Sequence, residues 1–245
     1  VLVAASIRMT ASNALAQYVF TLLHPATDLS FAQGPMDVLD HSCSKLGFGG
    51  KMCLDGSQKF PEETDDRYGI SESKEVPSEE ELKRLFPDIR AANTALLQQD
   101  IPCLILSVSK NRRGQIRELH ENLVSKILTS HQLKMVLYID DTIDPNNLPT
   151  ALWRFCNNLD PKRDHILSEI KHEDKIYACM GLDGTTKTEA LDDFQRDWPN
   201  IIVADGQTIA AVDQKWATLG LGDPIPSPSL SFRDQLFGTE AVAGV

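Results

Sequence analysis

Long apolar runs are missing from this 245-residue sequence. None approaches the ~18 consecutive apolar residues that a membrane-spanning helix needs. The longest runs, Val1–Ala5, Cys103–Leu106 and Met135–Ile139, have the length of buried strands. Ala14-Leu15-Ala16 is similar to a signal cleavage site, but no basic region and apolar core of a secretion signal precede it.

Positive charge is also scarce. The chain has 24 Lys and Arg against 35 Asp and Glu, a formal net charge of −11. A surface this acidic repels nucleic-acid phosphates and anionic lipids, so we expect no nucleic-acid partner and at most a peripheral membrane contact. With 42% hydrophobic and 24% charged residues, the composition is that of a globular protein and excludes a disordered chain, a collagen and a coiled coil.

The cysteines are odd in number and lack CxxC spacing. This pattern fits a reducing cytosol, in which cysteines act mostly as small core residues. We therefore expect a cytoplasmic protein. The five are Cys43, Cys53, Cys103, Cys156 and Cys179.

Strands and helices alternate after Ile101. The sequence predicts strands at Cys103–Val108 and Lys134–Ile139, separated by an amphipathic helix from Gln115 to about Ser130. This alternation predicts an α/β fold with mostly parallel sheets flanked by helices.

The same pattern continues toward the C-terminus. Apolar spacing predicts a helix over residues 148–159, a short strand at Ile201–Val203, and a helix from Thr208 to Leu219 that ends at Gly220. Three tryptophans on helical or strand positions are expected in the core: Trp153, Trp198 and Trp216.

An acidic segment precedes these elements. Residues 61–90 hold ten acids and five bases and predict a solvated connector. Ser78 and Glu81 have the types and spacing of a capping box at a helix start. Pro87 ends that helix, and Asp88 is placed to cap another. We assign residues 66–100 to this acidic helical connector.

An internal repeat is the most informative feature. Met52–Lys59 matches Met180–Lys187 at five of eight positions, and His24–Asp28 echoes Asp160–Asp164. The offsets of 128 and 136 residues place eight extra residues of the first copy within Gln33–Gly50. We expect two related α/β units, at residues 1–65 (incomplete at its N-terminus) and 101–222, followed by an extended Pro-rich arm at residues 223–245.

A glycine-rich segment in the first copy is a candidate anion site. Gly47, Gly49 and Gly50 allow backbone N–H groups to approach an anion, and Lys51 supplies positive charge. The GxxxxGK[ST] spacing of a P-loop is absent, and a flexible turn entering a strand is an equally good interpretation. The second copy has Cys179 in place of Lys51 and lacks the glycines.

Two other clusters favour structural interpretations. The carboxylates of Asp140–Asp144 at a strand end are candidates for Mg²⁺, but turn and capping roles are favoured. Lys110, Arg112 and Arg113 near a helix start are candidates for a phosphate, but ion pairs with the many acids are favoured.

The remaining titratable residues give no catalytic pattern. Asp37, Asp40 and His41 are candidates for acid–base or metal chemistry, although a turn with satisfied polar groups is favoured. The lone histidines have no metal-ligand spacing: His24, His120, His131, His165 and His172.

Taken in order, these motifs resemble the C-terminal domain of the UbiD-type decarboxylases, the family that includes polyprenyl-4-hydroxybenzoate carboxy-lyase. In the first copy, Gly34–Asp40 and Gly47–Asp55 are similar to the family's stretch leading into its Gly-Ser-Lys-Met-Gly segment. In the second copy the similar segments are Leu106–Lys110 with Gly114 and Gln115, Val136–Pro145, Ala151–Trp153, Asp160–Asp164 and Gly181–Thr185.

The resemblance implies a carboxy-lyase that decarboxylates aromatic or α,β-unsaturated acids, such as a polyprenyl-hydroxybenzoate in ubiquinone or menaquinone biosynthesis, with prenylated FMN. It implies that the catalytic residues and the divalent-metal and potassium sites lie in an N-terminal portion without counterpart here, so no catalytic or metal residue is assigned. For this chain it implies one cofactor contact, at Lys51 with Gly49 and Gly50, and the contacts of a homo-oligomer. A flavin prenyltransferase would supply the cofactor.

The chain opens with Val1 rather than Met, and the strand predicted at Val1–Ile7 needs a neighbour, so we expect a piece of a longer protein. Two alternatives stay open. One is a non-catalytic oligomerisation module. The other is a standalone α/β protein that binds a nucleotide through Ser109–Gln115. In that case, a nucleotide at roughly 100 times its Kd would raise the free energy of unfolding by about 2.7 kcal/mol.

Overall fold

This computed structural model describes Arg8, residues 10–69, Ser71, Ser73, residues 75–236, Val242 and Ala243. The strand predicted at Val1–Ile7 lies outside the described residues. By contact the chain forms two compact units, residues 1–196 and residues 197–245. The predicted boundaries at residues 65, 100 and 222 do not coincide with this division.

The first unit alternates helices and strands. In chain order its elements are α1 (Ser12–Leu22), β1 (Leu29–Pro35), β2 (Phe48–Leu54), α2 (Glu79–Leu85), β3 (Ile89–Asn93), α3 (Ala95–Gln98), β4 (Cys103–Val108), α4 (Gln115–Ile127), β5 (Met135–Asp140), α5 (Leu148–Asn158), α6 (Pro161–Asp164), β6 (His165–His172), β7 (Lys175–Asp183) and α7 (Glu189–Asp192).

A five-stranded sheet in the order β3-β4-β5-β7-β6 forms the centre of this unit. Strands β4, β5 and β7 are parallel, while β3 and β6 are antiparallel strands at the two edges. All 6 residues of β4 are buried, as expected for a strand covered on both faces. The predicted α/β fold is confirmed, and β4, α4, β5 and α5 match their predicted bounds to within three residues.

The segments predicted as separate units share their cores. On one sheet face, Leu82 of α2 joins Leu123 of α4. On the other face, Phe20 of α1 and Met52 of β2 pack against the cluster that contains Phe155 of α5. These side chains therefore leave water together when the chain folds.

The acidic connector contributes a strand as well as a helix. The Glu81 backbone N–H donates to Ser78 Oγ at 3.1 Å, which confirms Ser78 as the N-cap of α2. Beyond Pro87, the helix expected from Asp88 is wrong, because Ile89–Asn93 forms β3. Pairing with β4 satisfies the backbone hydrogen bonds of this segment and buries Ile89.

Over the described residues, the two copies have the same order of elements apart from the short helix α6, which occurs only in the second. Helices α1 and α5 both contain 11 residues. Each is followed by a turn closed by an Asp, in which the backbone N–H of His24 donates to Asp28 at 2.6 Å and that of Asp160 to Asp164 at 2.8 Å. An antiparallel hairpin then leads into Leu-Asp-Gly in both copies.

The hairpins themselves are not part of the sequence prediction, and they differ in their connections. Glu173 and Asp174 join β6 to β7, with Glu173 at φ +54°. Residues 36–47 join β1 to β2, so the extra residues of the first copy lengthen this loop.

The tryptophans are not core residues, contrary to expectation. Trp153 is 45% exposed, and Trp198 and Trp216 are partly exposed. The indole N–H of Trp216 donates to the carbonyl of Gly222 at 3.0 Å, a bond made near the surface. Large aromatic side chains with a polar N–H are often only partly buried.

The second unit contains β8 (Val203–Ala204), α8 (Gly206–Leu219) and β9 (Val242–Ala243). The Thr208 backbone N–H donates to the N-cap carboxylate of Asp205 at 2.7 Å, and α8 ends at Gly220 with φ +64°. The C-terminal arm is not simply extended, because two 3₁₀ turns and β9 lie within it. Among the described residues, no helix combines the length and apolar character needed to cross a membrane.

Candidate functional site

Strand β2 carries the predicted cofactor-binding residues Lys51, Gly49 and Gly50. The Lys51 side chain is exposed and lies opposite Ala32 of β1. Within the described part of the chain, no hydrogen bond or ion pair engages its ammonium group. Lys51 therefore offers a free positive charge at the surface of the hairpin.

The two glycines of this segment are buried against other parts of the chain. A β-carbon on Gly49 would lie 2.6 Å from Cys43 Cβ. A β-carbon on Gly50 would lie 2.0 Å from Asp160 Oδ1 and 2.5 Å from the backbone nitrogen of Lys162. Close approach of β2 to the loop that carries Cys43 is a sufficient reason for glycine at position 49, and close approach to the α6 turn is one at position 50.

The corresponding position of the second copy has no access to solvent. Cys179 lies inside β7 and is fully buried, and burial raises the pKa of its thiol well above the ordinary value. A side chain at this position cannot contact a ligand at the surface. At this position, therefore, only the first copy presents a cationic group.

Each copy also contains a group of one lysine and two aspartates, which we call a Lys–Asp–Asp clamp; it is buried in the second copy and partly buried in the first. In the second clamp, Lys187 Nζ donates to the carbonyls of Asp183 at 2.8 Å and Thr185 at 2.7 Å. It lies 3.3 Å from Asp183 Oδ1 and 3.8 Å from Asp164 Oδ2. The clamp joins the end of β7 to the end of α6.

The pKa values of the two aspartates in the second clamp are shifted in opposite directions. Burial raises the pKa of Asp164, an effect that Lys187 and Arg163 oppose without overcoming it. Burial also acts to raise the pKa of Asp183, but the charges of Lys187 and Lys110 hold that pKa below its ordinary value.

The first clamp repeats this geometry. Lys59 Nζ lies 3.0 Å from Asp55 Oδ2 and 3.7 Å from Asp28 Oδ1, and it donates to the Asp55 carbonyl at 3.0 Å. Hydrogen bonds from the hydroxyl and backbone N–H of Ser57 lower the pKa of Asp55 to about 2. The sequence analysis did not predict the clamps. The sequence does contain their pattern, because in both copies an Asp lies four residues before the Lys and another Asp ends the preceding turn.

A cavity lies beside each clamp. That beside the second has a volume of about 170 Å³ and is lined by Lys110, Arg117 and Arg163 together with the clamp. Lys110 is 3.0 Å from a carboxylate oxygen of Asp192, and Arg163 binds Asp164 through two nitrogens. The buried cations of this cavity are thus neutralised within the protein.

The cavity beside the first clamp has a volume of about 180 Å³ and includes His24, Asp65 and Tyr68 in its lining. The ring centroids of His24 and Tyr68 are 4.7 Å apart. Burial lowers the pKa of His24, so its imidazole is held toward the neutral form.

The favoured structural interpretation of the basic loop is confirmed. Arg112 pairs with Glu118 and Arg113 with Asp193, in addition to the Lys110–Asp192 pair. These pairs leave no free basic cluster for a phosphate at that loop.

The candidate acidic residues are likewise engaged in turns and caps. Asp140 accepts from the Thr186 N–H at 2.9 Å and from its hydroxyl at 2.7 Å. Asp37 accepts from the Leu39 N–H and Asp40 from the Ser42 N–H, both at 2.9 Å. Across the described ranges, no group of three His, Cys, Asp or Glu side chains is arranged to hold a metal ion.

Comparison with known families identifies the chain. The family described as 3-octaprenyl-4-hydroxybenzoate carboxy-lyase C-terminal domain matches residues 1–56 and 71–187. This match covers more than half of the sequence and most of both copies; of the residues of the two clamps, Lys59 alone lies outside it. The chain belongs to this family, the C-terminal domain of the UbiD-type carboxy-lyases, and the expected resemblance is confirmed.

Among similar proteins, an uncharacterized protein of Helicobacter pylori strain J99 is 29% identical over 194 residues, covering 77% of this chain. A protein of H. pylori strain 26695 matches over the same length at 29% identity. The chain spans 28% of the length of these curated relatives.

Solved structures of UbiD-class decarboxylases are similar over part of the chain. Vanillic acid decarboxylase of Sedimentibacter hydroxybenzoicus in its closed form has a TM-score of 0.43 at 18% identity, covering 59% of this chain and 31% of that one. The 3,4-dihydroxybenzoic acid decarboxylase of Klebsiella pneumoniae has a TM-score of 0.36 at 16% identity, covering 53% and 30%.

Proposed function

We propose that this chain is the C-terminal part of a carboxy-lyase that acts on an aromatic or α,β-unsaturated carboxylic acid with prenylated FMN. The observation that carries the proposal is the family match over residues 1–56 and 71–187. The ordered motifs of both copies support it, because they extend over nearly all of the first unit.

Lys51 is the residue of this chain that best fits such a cofactor. Its ammonium is exposed and, among the described residues, unpaired, so it is available to a phosphate without first breaking an ion pair. Gly49 and Gly50 are enclosed by Cys43, Asp160 and Lys162. We therefore propose that Lys51 makes the contact and that the glycines support it by allowing β2 to pack closely.

When bound, the prenylated flavin would supply an electron sink for the carbon that loses CO₂. The part proposed for this chain is to hold a positive charge near the phosphate and to fix the strand that carries it. No catalytic acid or base is assigned to the described residues, since their buried carboxylates are committed to caps and clamps.

We propose that this chain also contributes contacts between the subunits of a homo-oligomer. Helix α8 exposes Val212 at 44% and Leu219 at 50%, and Leu221 follows at 65%. Apolar residues grouped in this way favour a protein interface. The same observation supports the alternative that the chain is only an oligomerisation module.

The binding of prenylated FMN to the full-length protein tests the cofactor contact. We expect Lys51→Ala to weaken binding by about tenfold, as for the loss of one charge-assisted contact. Lys171→Ala is the matched control, because Lys171 is also an exposed lysine on a hairpin, in the second copy. Equal affinity of the Lys51→Ala protein and the wild type would reject the contact.

Membership of the carboxy-lyase family also supports proposals on the substrate, the source of the cofactor and the cellular location. Its substrate would be a small aromatic or unsaturated acid, and a flavin prenyltransferase would supply its cofactor. We propose a cytoplasmic location, which the five free cysteines support. The nucleotide-binding alternative loses its candidate site, because Lys110, Arg112 and Arg113 are ion-paired.

A further inference from the structure

A buried arginine on α5 lacks the partners that a buried guanidinium requires. Arg154 is 8% exposed. Among the described residues it makes no hydrogen bond and no ion pair, and its Nε is an unsatisfied buried donor. A buried charge without a partner is strongly disfavoured, so such a group normally faces a counter-ion.

The neighbouring groups compensate this charge only in part. The Arg154 guanidinium carbon lies 5.8 Å from the ring centroid of Trp153, a weak cation–π contact. Burial lowers the pKa of Arg154, and Asp140 acts in the opposite direction. The Asp140 carboxylate, however, accepts two hydrogen bonds from Thr186 and forms no ion pair with Arg154.

A second unsatisfied donor lies one helical turn away. Asn158 is 2% exposed, and its side-chain nitrogen has no hydrogen-bond partner. Residues four apart on a helix are neighbours on one face. Arg154 Nε and Asn158 Nδ2 are therefore buried donors without hydrogen-bond partners on the same side of α5. The Asn158 side chain also forms a hydrogen bond with His41, so the imidazole of His41 lies beside these donors.

We propose that Arg154 and Asn158 form a binding site for a single oxyanion, a carboxylate or phosphate group. The planar guanidinium matches such a group through two parallel hydrogen bonds, and the Asn158 amide supplies a further donor. This site is separate from the Lys51 contact and does not depend on it, because the proposal uses only α5 and the groups packed around it.

The test uses the 245-residue chain with inorganic phosphate and benzoate as probes, each compared with chloride at equal ionic strength. We expect at least one probe to raise the thermal midpoint in a saturable manner and to shift the Arg154 Nε–H resonance. Phosphate alone would identify a phosphate site, and benzoate alone a carboxylate site. No effect of either probe would overturn the proposal.

The variants separate binding from folding. Arg154→Met keeps much of the volume and removes the unpaired charge, so it should fold with an equal or higher midpoint and lose the response to the probe. Asn158→Ala should weaken the response by about tenfold, as expected for a lost bond to a charged group. Arg112→Met, which removes a surface arginine paired with Glu118, should respond like the wild type. A full response of the Arg154→Met protein would overturn the proposal.

Discussion

The backbone of Gly50 lies against the carboxylate of Asp160, so closely that a β-carbon on Gly50 would be 2.0 Å from Asp160 Oδ1. Asp160 also accepts from the N–H of Lys162 at 3.0 Å as the N-cap of α6. A residue of the first copy thus rests on the capped turn of the second. This contact fixes β2, and with it Lys51, on the larger sheet-bearing part of the unit.

Replacing Gly50 should therefore destabilise the fold. We expect Gly50→Ala to lower the free energy of unfolding by about 1–3 kcal/mol, because backbone and side chain must move to admit the methyl group. Gly34→Ala is the control in the same hairpin: its β-carbon would be 3.6 Å from Lys51 Nζ, an ordinary contact worth less than about 0.5 kcal/mol. Urea unfolding measures both, and equal effects would contradict the close contact.

The two clamps should differ in their contribution to stability. We expect Lys187→Met to cost about 3–5 kcal/mol, because it removes the buried cation that contacts both Asp183 and Asp164, although Arg163 stays paired with Asp164. Lys59→Met should cost less, since the Asp55 side chain is 38% exposed and water can replace the lysine. Chemical denaturation of the two variants gives the comparison. A larger loss for Lys59→Met would show that the burial difference is not decisive.

Acid should destabilise the protein through His120. This imidazole is fully buried between Tyr138 and the carbonyl of Cys179, and burial lowers its pKa to about 4. Between that value and the unfolded pKa of about 6.5, the unfolded chain binds more protons, so stability rises with pH across this window. Acidification across this window should lower the free energy of unfolding by roughly 3 kcal/mol through His120 alone.

The variant His120→Gln isolates this effect. It should flatten the dependence of unfolding free energy on pH between about 4 and 6.5 relative to the wild type. The lowered pKa of Asp55, about 2, acts in a more acidic window, where its contribution is lost as pH falls below about 3.8. Identical slopes for wild type and His120→Gln would contradict the assignment.

The thiols should react in two groups. Cys53 and Cys156 are exposed, whereas Cys43, Cys103 and Cys179 are buried, and burial raises the pKa of Cys103 to about 12. Because the thiolate is the reactive form, we expect a thiol reagent to modify Cys53 and Cys156 in the native protein and all five after denaturation. Fast modification of Cys103 in the native state would contradict the packing of β4.

Features that depend on local periodicity were predictable from the sequence. β4 reads as an unbroken apolar run, and α4 has apolar residues at helical spacing, so both were located nearly to the residue. The hairpins escaped prediction because β1 and β6 lie at the surface and mix exposed with buried positions. β3 escaped because Pro87 and Asp88 suggested a new helix.

The candidate site was only partly predictable. Lys51 could be found from its neighbours in sequence, and the structure places it at the surface as an accessible cation. The packing of Gly50 on Asp160 joins residues that are far apart in the chain. The clamps and the isolated Arg154 likewise depend on the folded arrangement, because charge and burial at one position are set by segments remote in sequence.

We propose that Lys51 of this UbiD-family chain contacts the phosphate of a flavin cofactor. The most direct measurement is the separation between Lys51 Nζ and that phosphate in a structure of the full-length protein with prenylated FMN bound. We expect a charge-assisted hydrogen bond of about 2.7–2.9 Å. A bound flavin whose phosphate is held by other residues, with Lys51 directed into solvent, would contradict the claim.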